Sequence, residues 1–290
     1  MVPSPRGLSV AEAPADRFAE LVFHVLAHVN ATASLAASVY DPNYVAFVEA
    51  RLGPAHLRAL GEDAALLGRL LTTHDMLASA QLLAWTFASE EQAERARGRD
   101  LVTLAESDVA DSVALAGALG TGPAAEVLRA AAELEGPYVE VLPERHWNAA
   151  ALRDTLRGLL PCAPWLGRLR ISGVRALGLR GRVYRGEIWV GMPGDSFGPT
   201  LAHAAFQACH EATVAEVSAH AARTGTPLAD RTLEQAAIVL FAARAARAKK
   251  EHEHAAWFAH FGKNAPSVAL ESLGDIPRAV VSARLALREP

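Results

Sequence analysis

Cysteine is scarce in this chain. Cys162 and Cys209 are the only two among 290 residues, too few for a disulfide framework. Both lie in apolar surroundings, which points to buried thiols in a reducing compartment. Long uncharged apolar runs are also missing, and no stretch reaches the roughly 18 residues that a membrane span needs. Residues 1–14 hold three prolines and lack the basic start and apolar run of a signal peptide. The expectation is a soluble, cytoplasmic protein with no membrane partner. An excess of one charge is absent as well: 28 Lys and Arg stand against 32 Asp and Glu, a net charge of −4. That balance gives no global drive toward nucleic acid. Finally, there is no G-x-G-x-x-G after a strand, no Walker loop, no G-x-S-x-G elbow and no C-x-x-C. The sequence therefore offers no support for dinucleotide, nucleotide, serine-hydrolase or dithiol chemistry.

What is present is alanine-rich and helical. Hydrophobic residues make up 51% and aromatics only 6%. Alanine favours helix but buries little area, so closely packed helices are expected. Residues 1–14 read as a flexible arm, 15–136 as a helical region and 137–290 as a second, α+β region, with Gly136-Pro137 as the boundary. The two regions are equally readable as one continuous domain. Apolar periodicity predicts helices from Asp16 onward, over Tyr44 to Leu52, and across 55–97, 107–119 and 123–134. A short strand is expected at Tyr138 to Leu142 and a helix at Asn148 to Leu160. Leu169 to Leu179 and Arg182 to Val190 read as a hairpin joined near Arg180-Gly181. Two long helices follow, Thr200 to Ala222 and Thr232 to His260, then a last one from Pro277 to Leu287. The fold class is mainly helical α+β, with the hairpin packed on the two long helices.

The chemistry-bearing stretch runs from 186 to 220: a strand, a Gly/Pro loop, and a helix carrying Cys209-His210-Glu211-Ala212-Thr213-Val214. In H-E-x-x-H on a helix, two His at i and i+4 bind zinc and the Glu polarises the metal-bound water. Here His210 and Glu211 are in place, while Val214 stands where the second His belongs. On these residues the stretch from about Val183 to His220 resembles the active-site half of zincin metallopeptidases. In that family an edge strand precedes the metal-binding helix and aligns substrate by strand addition. The resemblance implies His210 as first zinc ligand and Glu211 as general base. It also puts His220, ten residues after His210, at the spacing of the third His in the metzincin branch. Val217 replaces the glycine that lets the chain turn there, and on an unbroken helix His220 is rotated roughly 80° from His210. His203 shares a stripe with Gln207 and His210, about 10 Å from His210 along the axis, and needs ligands from elsewhere to complete a site.

Other constellations compete with this one. His24 and His28 stand at i, i+4 on one helical face, a chelating geometry that Asp41 or His74-Asp75 could complete. Equally, they read as a pair of hydrogen-bonded core histidines. Glu251-His252-Glu253-His254, with His260 beyond, is metal-rich in composition but reads first as a solvated charged face. Arg168, Arg170, Arg175, Arg180, Arg182 and Arg185 alternate with apolar residues on the expected hairpin. They form either an acidic-ligand surface, with Trp189, or a guard against edge pairing.

Two functions are therefore expected. The first is a divergent or degenerate metal-dependent, peptidase-like hydrolase with zinc as its metal. The second is a non-catalytic scaffold that binds a peptide or protein segment on the Arg-rich hairpin through Arg180, Arg182, Arg185 and Trp189.

Overall fold

The computed structural model describes residues 7–15, 19–20, 23–24, 27, 40–52, 147–184, 186–193, 199–226, 228, 230–260 and 269–286. Within them the chain is mainly helical α+β, as its alanine content predicts. The elements are β1 (Ser9–Val10), α1 (Pro42–Leu52), α2 (Ala149–Arg157), a 3-10 turn (Pro164–Arg168), β2 (Arg170–Val174), β3 (Arg182–Tyr184) and β4 (Glu187–Gly191). These are followed by α3 (Leu201–Arg223), α4 (Asp230–Arg247), α5 (Glu251–Phe258), a 3-10 turn (Leu270–Ser272) and α6 (Asp275–Ala286). The helices expected across 55–97, 107–119 and 123–134, the boundary at 136–137 and the strand at 138–142 lie outside the described residues.

Local capping explains the helix starts. Asp41 Oδ1 accepts the Asn43 amide at 2.9 Å, and Pro42 takes the first helical position, where its missing N–H costs nothing. Asn148 caps α2 through the Ala151 amide, and Thr200 caps α3 through the His203 amide at 3.1 Å. None of the described helices is long and apolar enough to cross a membrane.

The sheet corrects the expected strand pairing. Its order is β1-β2-β4-β3, with β1, β2 and β4 parallel and β3 antiparallel to β4. The hairpin is therefore β3–β4, turning at Gly186, whose φ of 85° favours glycine. β2, expected as the first hairpin arm, runs parallel to β4, with Ile171 opposite Ile188. Parallel neighbours cannot be joined by a tight turn. The 175–181 connection instead crosses the C-terminal end of β4, close enough that a Cβ on Gly191 would stand 2.5 Å from the Leu177 carbonyl oxygen and 2.6 Å from that of Gly178. Backbone oxygens cannot swing aside, so Gly191→Ala should lower stability by about 1–3 kcal/mol, read as a shift in the urea midpoint. An unchanged midpoint would show that the crossing is looser than described.

The expected N-terminal arm also contributes to the sheet. Val10 is buried, the Ala11 amide donates to the Ile171 carbonyl at 2.8 Å, and Trp147 Nε1 donates to the Ala11 carbonyl at 2.6 Å. Burying one valine and pairing its backbone fixes Ser9–Val10 as an edge strand, despite the prolines around it.

The helix expected from Thr232 to His260 is two. It breaks at Lys249, which adopts φ 57°. There the Lys249 and Lys250 amides turn back to the carbonyls of Ala246 and Ala245 at 3.1 and 2.7 Å, closing α4 in the manner of a left-handed C-cap. α5 then starts with Glu251 and Glu253 in its first turn, where the helix dipole favours negative charge.

One apolar cluster joins α2, the sheet and α3 around Leu152, Leu156, Ile171, Ile188, Val190 and Phe206. A second joins α3, α4 and α6 around Val217, Leu240, Val280 and Val281. α3 is thus covered on several sides, which places its His and Glu residues inside the molecule.

Candidate functional site

The sheet-facing half of α3 carries His203, Gln207, His210 and Glu211, all buried. Consecutive residues on a helix diverge by about 100°, and His210 and Glu211 use that divergence to enter different surroundings. The His210 ring lies 5.5 Å from the Trp257 ring of α5. Glu211 points at the chain leading into β3: a Cβ on Gly181 would stand 2.8 Å from Glu211 Cγ and 2.8 Å from the Trp189 carbonyl oxygen. Gln207, one turn earlier, accepts the Gly191 amide at 3.3 Å. His203 Nε2 is 3.1 Å from the Leu179 carbonyl oxygen. The helix is thereby stitched to the 175–181 connection and to β4.

The electrostatics follow from burial. Burial pushes the Glu211 carboxyl up to about 7 from its ordinary 4.5, against the pull of Arg182 and with Glu234 adding to the rise. Burial, joined by Arg180, holds the His210 imidazole down at about 3. His203 is lowered by burial as well, in spite of its bond to Leu179. At neutral pH the site therefore holds neutral imidazoles beside a carboxyl near half-ionisation. Burial also pushes both thiols up, Cys209 well above its ordinary value, so they stay protonated and inert.

These donors do not fit a zinc ion. Among the described residues no three His, Cys, Asp or Glu side chains gather as a ligand set. Val214 packs against the α3–α4–α6 cluster. His220 lies about 15 Å along the axis from His210, and its charged neighbours are Arg284, Arg223 and Glu216. His210 and His220, ligands by the resemblance, and His203, added from the shared stripe, are thus not brought together around one point.

The alternative pair is only partly placed. His24 is fully buried, with its Nδ1 2.9 Å from the Tyr44 hydroxyl, while Asp41 serves as the α1 cap. His28, His74 and Asp75 lie outside the described residues.

The expected binding surface needs revision. Trp189 is 2% exposed and packs edge-on against Phe23 at 5.2 Å. Because β4 is a central strand covered on both faces, its tryptophan is core, not surface. Most of the arginines are engaged within the molecule. Arg175 pairs with Glu20 at 3.2 Å, Arg180 with Glu234 at 2.9 Å, and Arg170 approaches Glu187 at 3.9 Å. Arg168 lies over the Trp165 ring. Arg182 donates to the Gly181 carbonyl at 2.8 Å and remains partly exposed at the sheet edge. Arg185 lies outside the described residues.

Two features escaped sequence reasoning. Glu216, fully buried, receives both guanidinium nitrogens of Arg244 at 2.6 and 2.9 Å and also pairs with Arg284, tying α3, α4 and α6 together. The available signal was a second acid in the same alanine-rich helix, five residues after Glu211. The second is α5, expected as a solvated face, in which His254 and Trp257 are buried.

Comparison of the chain with protein-family models, with curated proteins and with solved structures returns no match.

Proposed function

We propose that this protein is a degenerate hydrolase-like scaffold that binds an extended peptide along β3 without cleaving it. The observation carrying the reading is the placement of β3. It is the last strand of the sheet, and among the described residues no strand pairs with its outer side. It also leads through β4 directly into α3, with Glu211 set against its entry at Gly181. A strand at the edge of a sheet can accept a further strand on its outer side. The zincin resemblance assigns that role to an edge strand before the HE-bearing helix; here the strand before α3, β4, is central, and β3 is the sheet's edge on that side. Against turnover stand the scattered histidines and a Glu211 that is only 7% exposed, too enclosed to reach a scissile bond as the chain stands.

An array of extended peptides tests this. A captured acidic peptide should be recovered intact and should bind Arg182→Glu several-fold more weakly than the wild type. The difference should shrink at high salt, because exposed charges are screened over about 10 Å at 0.1 M. Glu211→Gln should bind as the wild type does. Peptide recovered cleaved by the wild type and intact from Glu211→Gln would replace the scaffold by a hydrolase, and so would stoichiometric zinc retained through dialysis.

A further inference from the structure

Eight residues of α5 are joined to α4 through Lys249, a non-glycine residue at φ 57°. Glu251, His252, Glu253, Ala255 and Ala256 face solvent. The helix docks through His254 and Trp257, 5% and 3% exposed, with Phe258 half-buried beside them. Trp257 covers the histidine stripe of α3, its ring 6.4 Å from His203, 6.4 Å from Phe206 and 5.5 Å from His210. His254 sits in an aromatic notch, 4.9 Å from Phe241 and 5.6 Å from Trp257, and its buried Nε2 has no hydrogen-bond partner. His260, just past the helix, meets His203 at 5.1 Å.

We propose that α5 is a lid, hinged at Lys249, that lifts off the His203–His210 face of α3 when His254 takes up a proton. An imidazolium in that notch would leave a buried N–H unpaired and lose its hydration, a cost that outweighs the cation–π attraction of the rings and is removed by swinging the short helix into water. The groups around it offer no compensation. From α3 comes His210, and from α4 comes Arg244, bound to Glu216. Arg180 and Arg182 act on His210 from the strand side. Cys162 lies toward the start of the lid, near Lys250 and Glu253. On the lid itself Lys250 and Glu253 pair with each other at 2.9 Å in solvent. His254 is held neutral by burial alone. Opening uncovers His203, Phe206 and His210, so the α3 face becomes accessible only in acid. This inference is independent of peptide binding at β3.

Hydrogen exchange on the whole chain, corrected for the intrinsic rate at each pH, tests it. Between pH 7.5 and pH 5.0 the amides of 251–258 should lose at least tenfold in protection, while those of 170–174 and 187–191 keep theirs. His254→Phe, which fills the notch without a titrating group, should keep 251–258 protected at pH 5.0. Lid and sheet losing protection together in the wild type would overturn the proposal, whether or not the variant folds. A His254→Phe profile identical to that of the wild type would overturn it too.

Discussion

Acidification below pH 6.5 should destabilise the protein progressively, with the loss steepest between pH 4.5 and about 4. The ordinary imidazole value is 6.5, and in the folded chain burial, joined by Arg180, holds His210 at about 3 while burial holds His254 at about 4. A lowered folded-state value means that the unfolded chain takes up the proton first. Stability is therefore full above 6.5 and is lost as pH falls toward about 3 for His210 and about 4 for His254. Each histidine removes about 1.4 kcal/mol per pH unit in its window, so the pair removes on the order of 4 kcal/mol by pH 5. His203 shifts in the same direction.

Glu211 opposes them. Its carboxyl is raised from 4.5 to about 7, so its stabilising contribution is full below 4.5 and is lost as pH rises through about 7. Between 6.5 and 4.5 it returns about 1.4 kcal/mol per unit of acidification, leaving a net loss of about the same size from the two histidines. Below 4.5 the opposition ends. Urea denaturation at pH 7.0, 5.5 and 4.2 should show this curvature. Glu211→Gln should be more stable than the wild type above pH 7 and should decline more steeply with acid. A flat profile from pH 7 to pH 4, or identical profiles for wild type and variant, would contradict the buried placement of these groups.

Glu216→Ala should cost about 3–5 kcal/mol, because it leaves the Arg244 and Arg284 charges inside the molecule without the carboxylate between them. Their side chains are 7% and 11% exposed and that of Glu216 is 0% exposed, so water cannot substitute for the missing acid. Replacing Glu216 by leucine and both Arg244 and Arg284 by methionine should together cost far less than the sum of the single changes, since all three charges leave along with their desolvation. Urea midpoints of these three single variants and the triple variant form the comparison. A loss under about 1 kcal/mol for Glu216→Ala would mean that α6 does not close over the triad.

Much of the helical architecture was legible because its signals are local. Thr200, Asn148 and Asp41-Pro42 mark helix starts through bonds that span two or three residues, and any sequence window contains both partners. The HE-bearing helix was placed to within a residue or two for that reason. Gly186 was equally local, yet the alternation of apolar and basic residues over 182–190 hid a turn inside what read as one strand.

The chain itself determined a mainly helical α+β fold, the position of α3 and the absence of a second histidine after Glu211. Tertiary structure alone decided the rest. Nothing within 170–191 specifies that β2 pairs with β4 in parallel, because that choice depends on the crossing of 175–181 held by Glu20, whose carboxylate accepts the Arg175 amide across 155 positions. The same is true of Trp189, turned from candidate surface to core by Phe23. Glu216 and Arg244 stand 28 positions apart, and the break at Lys249 brings His254 and Trp257 back over His210. Burial and charge pairing are sums over distant partners, and those sums fix what an ionisable side chain can do here. A helical period places His210 and Glu211 on adjacent faces, and only the packed neighbours make one imidazole hard to protonate and one carboxyl hard to ionise.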